Sequence, residues 1–339
     1  MPESSRDPAA SAATLPTGGP GLPVAPRPRF VTRRRVLGVM AAVGVAYGAL
    51  AGHFYLRQES LIFHPEPLPA DFRFAFDPRE QRVDEVRVAV PGGEIHALHF
   101  RQPAPRGLVF YLHGNSGNLA TWTTHIDFYR RINYDLFMLD YRGFGKSRGA
   151  ITSEAQLHAD VRAAWDRVAP AYAGKPVVIL GRSLGTGLAT RLAHDVNPAL
   201  LVLVTPFTSL VDLARLHEPL APTWLLKYTL RSDALIGEVA SPVLLIHGTR
   251  DTLTPLSHAQ RLKSLARSPA RLVVIDDATH DDIHEFPEYG EVLGGRLGAL
   301  TGQQLPSRDS QLRGKAWSAP IFRQPVVVAY SPSQSSYYR

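Results

Sequence analysis

The chain has 339 residues, no cysteine and a formal net charge of +7. That length holds one large α/β domain with attachments, and the missing cysteines exclude disulfide frameworks, thiolate nucleophiles and thiolate metal sites. The charge does not mark a nucleic-acid binder. Residues 1–35 carry six Arg and two acids, and residues 301–339 carry five bases and one acid, so each end holds +4 and residues 36–300 are left with −1.

Residues 1–35 are rich in Pro, Ala, Ser and Gly without apolar periodicity, and read as a disordered basic arm. Residues 36–56 follow, 21 positions without Asp, Glu, Lys or Arg. A helix of that length spans roughly 31 Å, enough for the hydrocarbon core of a bilayer, so a single-pass transmembrane anchor is expected. Arg27, Arg29 and Arg33–Arg35 precede it and only Arg57 follows closely. The positive-inside rule then puts the N-terminus in the cytoplasm and the following domain outside. A cleaved export signal is the alternative, because Ala49-Leu50-Ala51 has the A-x-A form and Thr32–Leu37 resembles a twin-arginine signal. Continuation of the apolar run through His53–Leu56 favours the anchor. A buried helix of the fold is disfavoured because the run has no polar face.

Residues 57–80 look irregular, with Phe63, Phe72, Phe74 and Phe76 expected to pack on the domain's edge. Alternating apolar and polar residues at 83–90 and 94–101 around Pro91-Gly92-Gly93 predict a β-hairpin. The continuous apolar runs 107–112, 135–139, 177–180, 200–204, 243–246 and 272–275 predict strands buried on both faces. Helical patterns fall between them, near 119–131, 154–169, 184–194, 257–267 and 287–300. The class is therefore α/β: a mostly parallel, eight-stranded sheet flanked by helices, occupying residues 57–300. Residues 208–238 exceed a plain βα link and predict a small helical cap, with a core-packing excursion as the alternative. Trp224, Leu225, Leu226 and Tyr228 there are candidates for a substrate pocket. Residues 301–339 read as a disordered tail without an assignable function.

Residues 176–188 carry the chemistry: an apolar strand runs into Gly-Arg-Ser-Leu-Gly at 181–185 and then into a helix. That context suits a nucleophile elbow, where a strained turn lifts the serine above the sheet and close backbone approach demands glycine on both sides. A serine hydroxyl needs a base and an orienting third group. Both belong at the carboxyl ends of later strands. The run 243–246 leads to Asp251 and the run 272–275 to His280, so the order is Ser183, Asp251, His280. Asp233 is a rival acid only under a shifted topology. His280 and His284 with Asp281, Asp282 and Glu285 suggest a metal cluster, but the H-E-x-x-H form is missing and a solvated helix start is preferred. His247 is expected to help build the loop that carries Asp251. Oxyanion donors are expected at the Leu184 N–H and in the loop after residue 112, at Asn115 with Ser116 second. A phosphate-binding reading of that loop lacks the nucleotide fingerprints, so no cofactor and no metal are expected.

The set HGNSGN (113–118), DYRGFGKS (140–147), GRSLGTG (181–187), PFTSL (206–210), HGTRD (247–251) and ATHDD (278–282) resembles the α/β-hydrolase superfamily. Together with QESLIFHPEP (58–67) it is similar to a small-cap, membrane-anchored branch that includes protein depalmitoylases and lysophospholipid lipases. The resemblance implies Ser183, Asp251 and His280 as catalytic residues, with Asn115 and Leu184 at the oxyanion. It implies bracing roles for Asp140 and Arg142. The expected activity is hydrolysis of carboxylic esters with lipid-like acyl chains through an acyl-enzyme, with thioester or peptide hydrolysis as alternatives. A catalytically silent binding module on the same fold is the rival from another class.

Overall fold

The computed structural model describes residues 32–76, 82–123 and 126–302. The arm up to residue 31 and the tail from residue 303 lie outside the described residues. Helix α1 (Arg33–Ile62) is 30 residues long and, by length and composition, apolar enough to cross a membrane. The described residues divide into two units between Leu50 and Ala51. In the first, Arg33–Leu50 is exposed throughout. Residues 57–62, expected to be irregular, instead extend α1: no proline interrupts the run before Pro65, and Gln58 is buried.

From Ala51 onward the chain builds around a sheet. A short parallel ladder stands apart from it, pairing β1 (His64–Pro65) with β5 (Ser116–Gly117). In the main sheet β2 (Arg82–Val90) and β3 (Gly93–Arg101) form the expected antiparallel hairpin. The remaining strands are β4 (Leu108–Leu112), β6 (Asp135–Leu139), β7 (Val177–Arg182), β8 (Leu200–Val204), β9 (Val243–Gly248) and β10 (Ala270–Ile275). The eight strands lie in the order β10-β9-β8-β7-β4-β6-β3-β2, parallel from β10 to β6.

Both faces of the sheet's centre are covered, which is why its central strands read as unbroken apolar runs; β10, expected to be buried on both faces, lies at the edge and leaves Val274 exposed. Leu108, Phe110 and Leu112 of β4 point into a core shared with α4 (Glu154–Val168), α5 (Leu184–Val196) and α8 (Ser257–Leu265). Val109 and Tyr111 point the other way, towards α2 (Leu119–Trp122), α3 (Ile126–Arg131) and α9 (Pro287–Ala299). Strand β6 lies on one side of β4 and β7 on the other. The winding therefore reverses at β4 and β7, and their carboxyl ends form the crevice where sheets of this kind bind ligands.

The excursion at 208–238 is helical as expected, with α6 (Leu210–His217), a 3₁₀ turn at Thr223–Leu225 and α7 (Ser232–Leu235). Phe74 and Phe76 pack at the sheet's edge, against His96 and Phe100 respectively. Phe63 goes deeper than an edge position: it is buried in the core, edge-on to Tyr228 at 5.1 Å.

Candidate active site

Ser183 occupies the turn between β7 and α5 with φ 50° and ψ −120°. Such a backbone costs a non-glycine residue about 1–3 kcal/mol, so the surroundings must enforce it. They do so by close approach. A Cβ on Gly181 would stand 2.4 Å from the Gly185 carbonyl oxygen, and one on Gly185 would stand 2.1 Å from that of Leu112. The strain has a chemical consequence. Ser153 and Ser209, in extended backbone at the starts of α4 and α6, turn their hydroxyls onto their own helices as caps. Ser183 holds the same position on α5 but makes no cap, and its Oγ lies 2.8 Å from His280 Nε2.

His280 follows β10 and Asp251 follows β9. The Asp251 Oδ2 lies 2.8 Å from His280 Nδ1, completing a line from carboxylate through imidazole to hydroxyl. The acid is buried and held on both oxygens: the Thr254 N–H donates to Oδ1 (2.7 Å) and the Thr254 hydroxyl to Oδ2 (2.8 Å). His247 Nε2 lies 3.3 Å from Oδ2. Burial pushes the Asp251 carboxyl up, but the hydrogen bonds from His247, His280 and the Thr254 N–H outweigh it and hold its pKa well below the usual carboxylate range. The group is therefore an anion beside the imidazole, suited to orient it and to stabilise its protonated form.

The loop after β4 abuts the nucleophile: a Cβ on Gly114 would stand 3.7 Å from Ser183 Cβ. Its shape is fixed from beneath. His113 Nδ1 bonds to the Gly114 carbonyl (2.8 Å), and the Tyr141 hydroxyl donates to the His113 carbonyl (2.8 Å). Among the described residues, neither the Asn115 nor the Leu184 N–H donates to another group. The Asn115 side chain is turned away to other partners: its Nδ2 donates to the Ile62 carbonyl (3.2 Å) and to His64 Nδ1 (3.3 Å). Ser116 is engaged through its carbonyl, which accepts from Trp122 Nε1 (2.8 Å).

Two positions escape sequence reasoning. Arg182 fills the variable place before the serine, where the motif gives no signal. Its guanidinium donates to the His280 and Asp281 carbonyls (3.2 and 2.7 Å), tying the elbow to the histidine loop, and lies 5.1 Å above the Trp122 ring. Thr254, three residues past the acid, carries no motif either. Arg142 makes a buried bidentate pair with Asp160 (2.6 and 2.8 Å), and Asp140 accepts the Leu119 N–H (3.0 Å).

The other candidates separate. Asp233 pairs with Arg231 (2.7 Å), Asp282 accepts the Thr279 N–H (2.7 Å), and His284 Nδ1 meets Arg182 (3.1 Å). Of the four candidate pocket residues, Trp224 is 76% exposed, while Leu225 and Leu226 are half-buried. Tyr228 is fully buried, with its hydroxyl on Glu59 (3.1 Å), so it is part of the core and not of an open pocket wall.

Two family models match the chain, one described as serine aminopeptidase, S33, over residues 103–235 and one described as TAP-like protein over residues 222–286. Human alpha/beta hydrolase domain-containing protein 17B is 31% identical over 223 residues, which cover 63% of this chain and 73% of that protein. An uncharacterized protein of Mycobacterium tuberculosis is 30% identical over 270 residues, covering 78% of this chain and 92% of its own. Among solved structures, an esterase from Pyrococcus furiosus superposes with a TM-score of 0.56 at 21% identity, over 72% of this chain and 99% of that one. Acetyl xylan esterase 1 from Thermoanaerobacterium sp. gives 0.54 at 19% identity, over 67% and 86%. At such identities these structures speak for the fold alone.

Proposed function

Because this chain belongs to the α/β-hydrolase superfamily, we propose that it is a membrane-tethered serine hydrolase that cleaves carboxylic esters through an acyl-enzyme. The observation that carries the reading is the Ser183–His280–Asp251 line at 2.8 Å per step, with the serine's backbone turned so that its hydroxyl is free of α5. Ser183 Oγ attacks the ester carbonyl carbon while His280 Nε2 takes the hydroxyl proton. The tetrahedral oxyanion is held by the Leu184 and Asn115 N–H groups, each such donor contributing on the order of 10²–10³ in rate. Collapse breaks the bond to the leaving alcohol, which takes the proton from His280 and departs, leaving acyl-Ser183. A water activated by His280 then attacks, the acid is released, and Ser183 regains its proton.

The substrate reading is an apolar acyl chain. What supports it is the exposed Trp224 beside half-buried Leu225 and Leu226 in the 208–238 excursion, and an α1 long and apolar enough to cross a membrane. Acyl thioesters are the companion substrates, because the same nucleophile and oxyanion donors serve both. The test is a panel of esters and thioesters from acetyl to medium-chain acyl. Each buried methylene adds about 0.8 kcal/mol, so kcat/KM should climb tenfold or more over a few carbons. Trp224→Ala should flatten the climb. A steady fall from acetyl upward would exclude an acyl-chain pocket and favour small esters or peptides.

A further inference from the structure

The segment from Gln58 to Leu68 is tied at one end to residues 225–228 and at the other to the loop after β4. At its helical end Gln58, 4% exposed, donates Nε2 to the Leu225 carbonyl (2.8 Å) and accepts the Lys227 N–H on Oε1 (2.7 Å). Glu59 takes the Lys227 ammonium (3.2 Å) and the Tyr228 hydroxyl (3.1 Å), and Phe63 packs edge-on against Tyr228. This end therefore grips the chain just after the cap's 3₁₀ turn. The extended end grips the loop after β4. The His64 N–H donates to the Asn115 carbonyl (2.8 Å), and both N–H groups of the Asn115 amide return to Ile62 and His64 (3.2 and 3.3 Å). Two residues on, the Glu66 N–H donates to Gly117 (3.3 Å), and the Glu66 carbonyl accepts Asn118 Nδ2 (2.9 Å).

We propose that this segment is a strap that sets the oxyanion donor. Asn115 serves the reaction through its main-chain N–H alone, while its side chain is a positioning group that fastens that N–H to Ile62 and His64. The argument is one of available atoms. The Asn115 carbonyl and both its amide N–H groups are committed to the strap; of what is left, Oδ1 only accepts and cannot serve an oxyanion, so the one free donor is the backbone N–H, next in the chain to the Gly114 that abuts Ser183. An oxyanion donor works only when held ahead of the charge that forms; the bonds from beneath fix His113 and Gly114, and those that hold Asn115 itself come from the strap. The Gln58 bonds fasten the strap's other end and give the loop a fixed base.

The inference rests on the serine-hydrolase reading, and its test keeps the two apart. Full-length Asn115→Ala, Asn115→Asp and His64→Ala are compared with the parent for kcat, KM, melting temperature and affinity for a trifluoromethyl ketone. The hemiketal that ketone forms with a serine presents an oxyanion to the same donors. A strap that positions the donor predicts kcat down 10- to 100-fold in both Asn115 variants, with KM within about twofold. Ketone affinity should fall in the same proportion, with melting temperature held. The His64 variant should follow in the same direction, and it carries the test if the Asn115 variants do not fold. Unchanged kcat, a change confined to KM, or lost kcat with ketone affinity intact would each overturn the strap. Hydrolysis surviving Ser183→Ala would instead overturn the serine-hydrolase reading itself.

Discussion

At the scale of single residues, what separates the proposed nucleophile from other serines at helix starts is its backbone. Ser153 and Ser209 have φ near −160° and cap their helices; Ser183 has φ 50° and faces His280. Ser183→Ala and His280→Ala should each cut turnover by several orders of magnitude, and the double variant should be little worse than either, because the pair acts as a unit. Additive losses in kcat would mean that they do not share a step. Thr254→Val removes the hydroxyl on Asp251 but leaves the Thr254 N–H in place. It should reduce kcat about tenfold, a loss in keeping with one hydrogen bond to a charged group. No change in kcat would remove Thr254 from the site. The three candidates stand out in the sequence because each comes at or within five residues of the end of an apolar run that folds as a strand. Arg182 and Thr254 do not, since their roles depend on carbonyls and carboxylates brought close only by the fold.

At the scale of elements, the central strands were legible because covering both faces forces unbroken apolar runs, and the β2–β3 hairpin because its strands alternate. The β1–β5 ladder was not, since two-residue strands leave no period to detect. The extension of α1 to Ile62 escaped for a related reason: Gln58 and Glu59 are helical residues whose partners lie some 170 positions away. Glu154 at the start of α4 makes the same kind of remote contact, accepting the Thr229 and Leu230 N–H groups (2.5 and 3.2 Å). Burial pushes its carboxyl up, but bonds from His158 and those two N–H groups outweigh it, and its pKa falls to about 2. A depressed acid contributes stability above its ordinary pKa of about 4.5 and loses it as pH falls towards 2. His99 adds to the decline from the other side. Burial lowers its pKa to about 4, so the unfolded chain takes up a proton that the fold refuses as pH drops from 6.5 to 4. Urea unfolding across pH should therefore show stability falling steadily below pH 6.5. Glu154→Gln should flatten the portion below 4.5 by about 2 kcal/mol, allowing for partial solvent screening. An unaltered pH profile in that variant would contradict the assignment.

At the scale of the whole molecule, the proposal is a catalytic domain carried by a membrane helix, with the arginines before residue 36 kept in the cytoplasm. The chain should resist alkaline extraction from membranes, and a reporter joined after residue 300 should work only if it functions outside the cytoplasm. A mature protein beginning at Gly52 would show cleavage of a signal and contradict the anchor. The central claim, that Ser183 is the acylated nucleophile, is tested most directly by mass spectrometry of the full chain after reaction with a fluorophosphonate. The account predicts one adduct on the peptide containing Ser183, absent in Ser183→Ala and strongly slowed in His280→Ala, with ester hydrolysis lost in step. An adduct on another residue, or ester hydrolysis that persists once Ser183 is blocked, would contradict it.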